Sequence, residues 1–128
     1  MTPKRIQRRR TLGWRMPPNT VSVTRPGPYG NPFTVKQAVA AGYQDGPAMA
    51  VYAFREWIKG NPDFVSGENL HARQRILNDL PVLRGANLAC FCKLCSKHSD
   101  GKPFDVTCDD CDPCHVDVLL KIANRHDD

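Results

Sequence analysis

The stretch Asn87-Leu88-Ala89-Cys90-Phe91-Cys92 indicates a buried strand late in the chain, because it is a short and mostly apolar run. It follows Gly85 and precedes a polar, cysteine-rich segment, so it is bounded on both sides. A second strand is predicted at residues 21–24, where β-branched residues alternate along the chain. These two segments are the predicted strands of the fold.

Helical patterns occupy the segments between and after these strands. A short helix is predicted over Thr34–Ala41, and a longer one over Asp45–Lys59, where apolar residues recur at helical spacing. A third helix is predicted over residues 68–79 and ended by Pro81, and a last helix would have Asp112 as its N-cap. The order strand, helices, strand, helix predicts a small α/β fold, in which helices pack on a short sheet.

Length and composition point to one soluble domain, residues 1–128, of which 41% are hydrophobic and 24% charged. No stretch approaches the ~20 apolar residues that a membrane span needs, and the N-terminus has no apolar signal-peptide core. We therefore expect no membrane partner and a cytoplasmic location. Thiols stay reduced there, so the six cysteines are not expected to form structural disulfides.

Six cysteines crowd the segment from Cys90 to Cys114. Two CxxC pairs, Cys92/Cys95 and Cys108/Cys111, are separated by a polar stretch of 12 residues. Zinc takes four soft ligands in a tetrahedron, and two such pairs supply them. The sequence therefore predicts a Cys-rich metal-binding insertion at residues 92–111, with zinc favoured over an iron–sulfur cluster. His98 could replace one of the cysteines.

Three residues, Cys90, Cys114 and His115, are left outside that set, and their role stays open. They could form a second metal site, with or without Cys92, or a nucleophilic cysteine with a histidine base. They could also be packing residues beside the metal. A neighbouring Cys and His alone do not make a catalytic triad, so metal binding or packing is favoured over catalysis.

The positive charge of the chain, a net +5, is concentrated in a basic N-terminal arm at residues 1–20. This arm holds six of the 18 Lys and Arg residues and no acidic residue, and the charge would attract phosphate. Trp14 would stack on a base or anchor the arm. A rigid loop at residues 25–33 follows the first strand, and we interpret it as a structural turn rather than as a binding element. The candidate phosphate- or nucleic-acid-binding residues are Arg5, Arg8, Arg9, Arg10, Trp14, Arg15, Arg25 and Asn31.

Five motifs together resemble the DUF4326 family, a small uncharacterised domain of actinobacterial phages and their hosts. They are Arg5-Ile-Gln-Arg-Arg-Arg10, Gly13-Trp-Arg-Met-Pro17, Gly30-Asn-Pro-Phe33, Leu88-Ala-Cys-Phe-Cys92 and Cys114-His-Val-Asp-Val-Leu-Leu120. The resemblance implies that Cys90, Cys92, Cys114 and His115 are the older constellation and that the other three cysteines belong to an added metal clip. It also implies a bacterial host cell, and it supplies no activity.

Taken together, the sequence predicts a zinc-stabilised, phage-type α/β protein that binds nucleic acid or a nucleotide through its basic arm. An alternative is an enzyme acting on a nucleotide or nucleobase, with its site between the loop at residues 30–33 and Cys90, Cys114 and His115. A third possibility is an adaptor that binds a host protein. Salt-dependent binding, turnover and protein capture would distinguish the three.

Overall fold

The computed structural model describes residues 2–25 and 27–124 of the chain. Four strands form one mixed sheet in the order β2-β3-β1-β4. Strands β1 (Lys4–Gln7), β2 (Thr20–Ser22) and β3 (Asn87–Cys90) are parallel to one another, and β4 (Lys102–Pro103) runs antiparallel to β1. The predicted α/β class is therefore confirmed, and the stretch quoted first supplies the strand that joins β1 and β2.

The largest departure from the sequence-based expectation lies at the N-terminus. Residues 4–7 are not part of a free arm but form β1, which pairs with β3 on one side and β4 on the other. The side chain of Ile6 is buried, and so is that of Arg5, which is only 1% exposed. The dense positive charge of residues 4–10 does not predict a strand, because an arginine on a central strand is uncommon unless a carboxylate neutralises it.

Two helices begin and end as their caps predict. Helix α1 (Val35–Ala40) starts at Thr34, whose hydroxyl accepts a hydrogen bond from the Gln37 amide at 3.0 Å. Helix α2 (Gly46–Lys59) has Asp45 as its N-cap and ends at Gly60, which adopts a φ of 94°. A left-handed residue at that place favours glycine and completes the helix end.

The other two helices differ from their predicted limits. Helix α3 (Leu70–Leu83) continues past Pro81, because the Arg84 amide resumes helical bonding to the Leu80 carbonyl and Leu83 is fully buried. The N-cap of helix α4 (His115–Ala123) is Cys114, two residues later than the predicted cap Asp112. The backbone of Asp112 pairs instead with Lys93, to whose carbonyl its amide donates at 2.8 Å.

The core lies between the sheet and helices α2, α3 and α4. Trp57, Phe54, Leu88, Leu119 and Ile76 are fully buried there and form the centre of one continuous apolar cluster. Cys90 and Cys114 belong to the same cluster, so their positions are fixed by core packing. No helix among the described residues is long and apolar enough to cross a bilayer.

The segment between β3 and α4 leaves the sheet and returns to it. It contains a 3-10 turn at Ser96–His98 and strand β4, which pairs with β1. The Phe104 amide also donates to the Pro3 carbonyl at 3.1 Å. Beyond these contacts with the N-terminal strand, the segment has little regular structure, which agrees with the insertion expected at residues 92–111.

Candidate functional site

The carboxyl ends of β1, β2 and β3 meet at one edge of the sheet, since the three strands are parallel. Arg8 follows β1, Val23 follows β2 and Phe91 follows β3. The N-terminus of α4 reaches the same edge, because Cys114 lies beside Cys90. Such an edge is where open α/β sheets bind ligands. The two unusual segments of the sequence, the loop at residues 25–33 and the cysteine-rich segment, therefore lie together.

A cavity of about 380 Å³ opens at this edge. Its walls come from the loop at residues 25–33, the start of α2, the end of β3 and the start of α4. Apolar and polar groups both line it, and all three thiols of the strand–helix junction are among them. The lining residues used below are Thr24, Arg25, Asn31, Phe33, Cys90, Cys92, Cys114 and His115.

Three of the thiols, Cys90, Cys92 and Cys114, form what we call the inner cluster. Their sulfur atoms lie within 4.8 Å of one another, and the sulfurs of Cys90 and Cys114 are 3.0 Å apart. Cys90 is the last residue of β3 and Cys114 is the N-cap of α4, and both are buried, whereas Cys92 is partly exposed. The geometry could hold a metal ion.

The thiols of the inner cluster share negative charge unevenly. Hydrogen bonds from Cys114 and Cys90 lower the pKa of Cys92 to about 3. The hydrogen bond with Cys114 lowers the pKa of Cys90, but donation to Cys92 and burial outweigh it and raise that pKa to about 12. Donation to Cys90 and Cys92 raises the pKa of Cys114 well above its ordinary value. Without a metal, Cys92 is therefore the thiolate that its two neighbours stabilise.

His115 stands next to the inner cluster with a fixed tautomer. Its Nε2 atom lies 3.1 Å from the Val23 carbonyl and 3.0 Å from the Tyr29 carbonyl, so Nε2 must carry the proton. Burial lowers the pKa of His115, which keeps the ring neutral. The unprotonated Nδ1 atom lies 3.8 Å from the sulfur of Cys114.

The outer cluster consists of Cys95, His98, Cys108 and Cys111, and all its donors lie within the segment between β3 and α4. The Nδ1 atom of His98 is 3.2 Å from the sulfur of Cys95 and 3.6 Å from that of Cys111. The sulfurs of Cys95 and Cys108 are 3.7 Å apart. Cys111 is buried and the other three residues are partly exposed. This set could also hold a metal ion.

The outer cluster likewise concentrates charge on one sulfur in the absence of a metal. Burial raises the pKa of Cys95, but hydrogen bonds from Cys111 and Cys108 lower it more, to about 7. Burial is the main reason that the pKa of Cys111 is raised to about 11. A bound cation would replace the protons of these thiols, since a metal ligand must be a thiolate.

Arg5 contacts α4 and both ends of the inserted segment that carries the outer cluster. Its Nη2 atom donates to the Asp112 carbonyl at 2.7 Å and approaches the Lys93 carbonyl at 3.5 Å, where the inserted segment ends and begins. Its Nη1 atom donates to Asp117 of α4 at 2.9 Å. Burial lowers the pKa of Arg5, but the nearby Cys114 and Asp117 outweigh it and raise the pKa overall, so the guanidinium stays charged.

The predicted four-cysteine set is divided between the two clusters. Cys95, Cys108 and Cys111 are brought together as predicted, but the fourth donor beside them is His98. Cys92 lies with Cys90 and Cys114 in the inner cluster. The reason is that Cys92 follows β3 by two residues and is held against the strand, whereas the chain has turned away by Cys95. His115 is adjacent to the inner cluster but is not one of its three donors.

The predicted phosphate-binding residues have different surroundings. Arg5 is buried and paired with Asp117, so it is not available to a ligand. Arg8 donates to the hydroxyls of Ser22 and Thr24, and its guanidinium lies 4.6 Å from the ring centroid of Phe91. Arg10 lies over the same ring, 4.2 Å from its centroid. Arg9 and Arg15 are exposed, and Trp14 is partly exposed in the segment between β1 and β2.

The loop at residues 25–33 is closed by its own polar groups. The side-chain amide of Asn31 donates to the Ala50 carbonyl at 3.0 Å, and its oxygen accepts from the Phe33 amide at 2.9 Å. Asn31 therefore closes the loop, and these two hydrogen bonds engage both polar atoms of its side chain. Gly30 packs over Arg25, since a Cβ atom there would lie 3.0 Å from the Arg25 backbone nitrogen. The side chain of Arg25 stays exposed, although it donates to the Asn31 carbonyl at 3.1 Å.

The sequence did not indicate that Asp117 and Lys102 would help to position the site. Asp117 accepts from Arg5 at 2.9 Å and lies 3.0 Å from the Lys102 ammonium, so one carboxylate links α4 to β1 and β4. Lys102 and Arg5 are both buried. Two cations on neighbouring strands with one acid on the last helix give no local pattern, and only the sheet pairing brings them together.

Comparison with known proteins identifies a family and nothing more specific. No match was found among curated proteins or among solved structures. One family model matches residues 6–125, which is nearly the whole chain and includes both clusters. It confirms the resemblance seen in the five sequence motifs. The chain therefore belongs to the DUF4326 family, which is described as a domain of unknown function.

Proposed function

We propose that this chain is a zinc-stabilised α/β domain that binds the phosphate groups of a nucleic acid or nucleotide at the carboxyl edge of its parallel strands. The observation that carries the proposal is that Arg8 and Arg10 lie over Phe91 just beyond β3 and that Arg25 lines the cavity at the same edge. Within residues 2–25 and 27–124, Arg8, Arg9, Arg10, Arg15 and Arg25 make no salt bridge with a carboxylate.

Zinc is the metal that best fits the outer cluster. Ligands at ~2.3 Å from one tetrahedral ion lie roughly 3.8 Å apart, and the sulfurs of Cys95 and Cys108 are 3.7 Å apart. Three thiolates and one imidazole form a closed set of the kind found in structural zinc sites. An iron–sulfur cluster fits less well, because its cysteines bind different iron atoms and stand farther apart. The ion would order the inserted segment rather than take part in chemistry.

Phosphate is the ligand group that best fits the exposed arginines. The planar guanidinium donates two parallel hydrogen bonds to phosphate oxygens, and its charge does not depend on pH in the physiological range. Arg8 and Arg10 are ordered over the ring of Phe91, which lowers the entropy lost when they bind an anion. Arg25 lines the same cavity as Cys90 and Phe91, so a ligand with several phosphates could contact Arg25 as well as the arginines over Phe91.

Binding of a labelled single-stranded oligonucleotide and of a labelled mononucleotide, followed by fluorescence anisotropy, tests this proposal. Replacing Arg9, Arg10 and Arg15 by Gln should weaken binding and reduce the slope of log K against log salt by about 2, since three phosphate contacts are lost. The matched control replaces three exposed cations elsewhere by Gln, namely Lys36, Arg55 and Lys97, and removes the same charge.

The two ligands and the two variants separate the possible outcomes. Tight binding of the mononucleotide would assign the site to a nucleotide, and binding of the oligonucleotide alone would assign it to nucleic acid. Equal losses in the test and control variants would mean that only net charge matters, and would contradict a site at this edge. Binding that does not change with salt would contradict the phosphate contacts.

A second candidate function is an enzyme that acts on a nucleotide or nucleobase. It is favoured by the cavity, because Cys114 and His115 line it together with Asn31 and Phe33. A product detected by mass spectrometry after incubation with nucleotides would support it, provided that alkylation of Cys92 abolishes the turnover while the outer cluster keeps its metal. Unchanged turnover after that alkylation would contradict a thiol-based site.

A further inference from the structure

The inner cluster differs from the outer one in having three donors rather than four. Among residues 2–25 and 27–124, no other His, Cys, Asp or Glu places a donor atom within 4.8 Å of all three sulfurs. His115 is the nearest candidate, and its Nδ1 atom lies 3.8 Å from the Cys114 sulfur, but neither ring nitrogen is within 4.8 Å of all three sulfurs. Its Nε2 atom is bound to the Val23 and Tyr29 carbonyls, so the ring is anchored to the residue after β2 and to the loop at residues 25–33.

The position of the three thiols is set by the fold rather than by a metal. Cys90 ends β3 and Cys114 precedes the first turn of α4, and both are packed in the apolar core. Cys92 is two residues beyond β3 and faces the cavity with them. A donor set held in this way does not need a fourth protein ligand to bring it together.

The charge of such a site would be balanced from the opposite side. Three thiolates around one divalent cation leave a net charge of about −1, which is costly in a buried place. The buried guanidinium of Arg5 feels the charge of all three sulfurs, and it is fixed by Asp117 and the Asp112 carbonyl. A fixed positive charge near metal-bound thiolates would lower the cost of burying their negative charge.

We propose that the inner cluster binds a second zinc ion through Cys90, Cys92 and Cys114, with its fourth coordination position open to the cavity for an exogenous ligand. Three protein ligands with an open position are the pattern of reactive zinc sites, whereas four protein ligands are the pattern of structural sites. The proposal goes beyond phosphate binding and does not depend on it, because the arginines contribute no donor to the metal.

The exogenous ligand is a small molecule with a soft donor atom, such as a thiol. Three thiolates transfer much charge to zinc, so the ion polarises a bound water weakly and retains a soft donor well. The cavity of about 380 Å³ admits a small molecule, and Phe33 and Phe91 give it apolar walls beside the sulfurs. Thr24 and Arg25 offer polar contacts at its rim.

Metal stoichiometry of the full chain, purified with reductant and measured by elemental analysis, tests the site. The intact chain should hold about two zinc ions, and Cys92→Ser about one. The double variant Cys95→Ser/Cys108→Ser, which removes two donors of the outer cluster, should also hold about one. Near-ultraviolet circular dichroism of the buried Trp57 shows whether each variant is folded.

Cobalt substitution tests the open position separately from the site itself. Addition of 2-mercaptoethanol to the cobalt-loaded chain should shift the visible ligand-field bands and increase the thiolate charge-transfer absorbance. The outer-cluster double variant should respond in the same way, and Cys92→Ser should not respond.

Several results would overturn the proposal. One equivalent of metal in the intact chain, or an unchanged content in folded Cys92→Ser, would show that the inner cluster binds none. A cystine between Cys90 and Cys114 in the reduced preparation would do the same. Two equivalents without any spectral response to 2-mercaptoethanol would show that the fourth position is closed. If Cys92→Ser does not fold, Cys92 is blocked with iodoacetamide in the metal-free Cys95→Ser/Cys108→Ser chain, and the one equivalent of zinc expected for that variant should then be lost.

Discussion

The two clusters use similar donors in opposite structural situations. The donors of the outer cluster all lie within residues 95–111, on a segment with only a 3-10 turn and the two-residue strand β4. The thiols of the inner cluster come from the end of β3 and the start of α4, and two of the three are buried in the core. In the outer cluster a bound metal would order the segment that carries its ligands. In the inner cluster the fold has already positioned the ligands before a metal binds.

This difference is the physical reason for proposing a closed ligand set in the outer cluster and an open coordination position in the inner one. A polar segment with few apolar contacts gains little stability from burial, so a metal ion bound by four protein ligands would contribute much of its stability. A junction fixed by core packing has already lost its conformational entropy, and three donors suffice there. Arg5 connects the two situations, because it contacts the backbone at both ends of the inserted segment.

The largest effect on stability is expected for Arg5, which contacts the backbone at both ends of the inserted segment. Arg5→Met removes one of the two buried cations that contact Asp117 and the hydrogen bonds to the Asp112 and Lys93 carbonyls. We expect a loss of about 3 kcal/mol in the free energy of unfolding, since the two carbonyls lose a charged donor and Lys102 alone remains to neutralise Asp117. Urea denaturation of the metal-loaded chain measures it.

The control for this variant is an arginine–carboxylate pair of equal length at the surface. Arg75 contacts Asp79 at 2.9 Å, as Arg5 contacts Asp117, but its side chain is 60% exposed. Arg75→Met should leave the denaturation midpoint nearly unchanged, because solvent screens an exposed pair. A similar loss in both variants would show that Arg5 has no special place between the clusters.

A smaller and local effect is expected when only the outer cluster is disrupted. Cys108→Ser should speed amide hydrogen exchange in residues 95–111 by at least about tenfold, because the proposed zinc ion no longer orders that segment. The amides of β3 should keep their protection, since they pair within the sheet. Exchange measured by mass spectrometry gives both values from one sample.

The matched variant in the inner cluster is Cys92→Ser, which also changes one partly exposed cysteine. It should leave exchange in residues 95–111 as it is in the intact chain. Faster exchange there in both variants would mean that the two clusters act as one unit, and the contrast between them would be lost.

The smallest effect concerns reactivity in the metal-free chain. The pKa values of Cys92, about 3, and Cys95, about 7, are both below the ordinary thiol value of 9.0. The alkylation rate of Cys92 by iodoacetamide should therefore be flat between pH 5 and 8, because it is already a thiolate throughout about that range. The rate of Cys95 should rise about tenfold per pH unit below 7 and then level off.

Trypsin separates the two residues, since Lys93 lies between Cys92 and Cys95 and cleavage there places them in different peptides. Mass spectrometry of the labelled peptides therefore gives the two rate profiles independently. Profiles of the same shape would contradict the different hydrogen bonding of the two sulfurs. Added zinc should suppress both rates, because the metal competes with the reagent for the thiolates.

Several parts of the fold could be predicted because their causes are local. Thr34 and Asp45 begin helices through hydrogen bonds to amides three residues away, and Gly60 ends one through its own φ. The apolar run at Asn87–Cys90 indicates a buried strand by composition alone. The CxxC spacing allows Cys108 and Cys111 to lie near one point, as they do, although the same spacing does not keep Cys92 beside Cys95.

Other parts depend on contacts between segments far apart in sequence. The strand Lys4–Gln7 could not be predicted from its own residues, because Asp117, which neutralises Arg5, is 112 residues away in sequence. The Asp112 amide donates to the Lys93 carbonyl, so α4 begins after Cys114 rather than after Asp112. Pro81 lies within α3, which continues to the buried Leu83. None of these outcomes has a local signal.

The sequence by itself determined the α/β class, the caps at Thr34, Asp45 and Gly60, and the presence of donors that could hold a metal, because each follows from neighbouring residues. Only the tertiary structure decided which donors belong together. Cys92 is three residues from Cys95 and 22 from Cys114, yet it lies with Cys114, because strand pairing and core packing place the end of β3 against the start of α4. Spacing along the chain limits which residues can meet, and burial of the core selects among them.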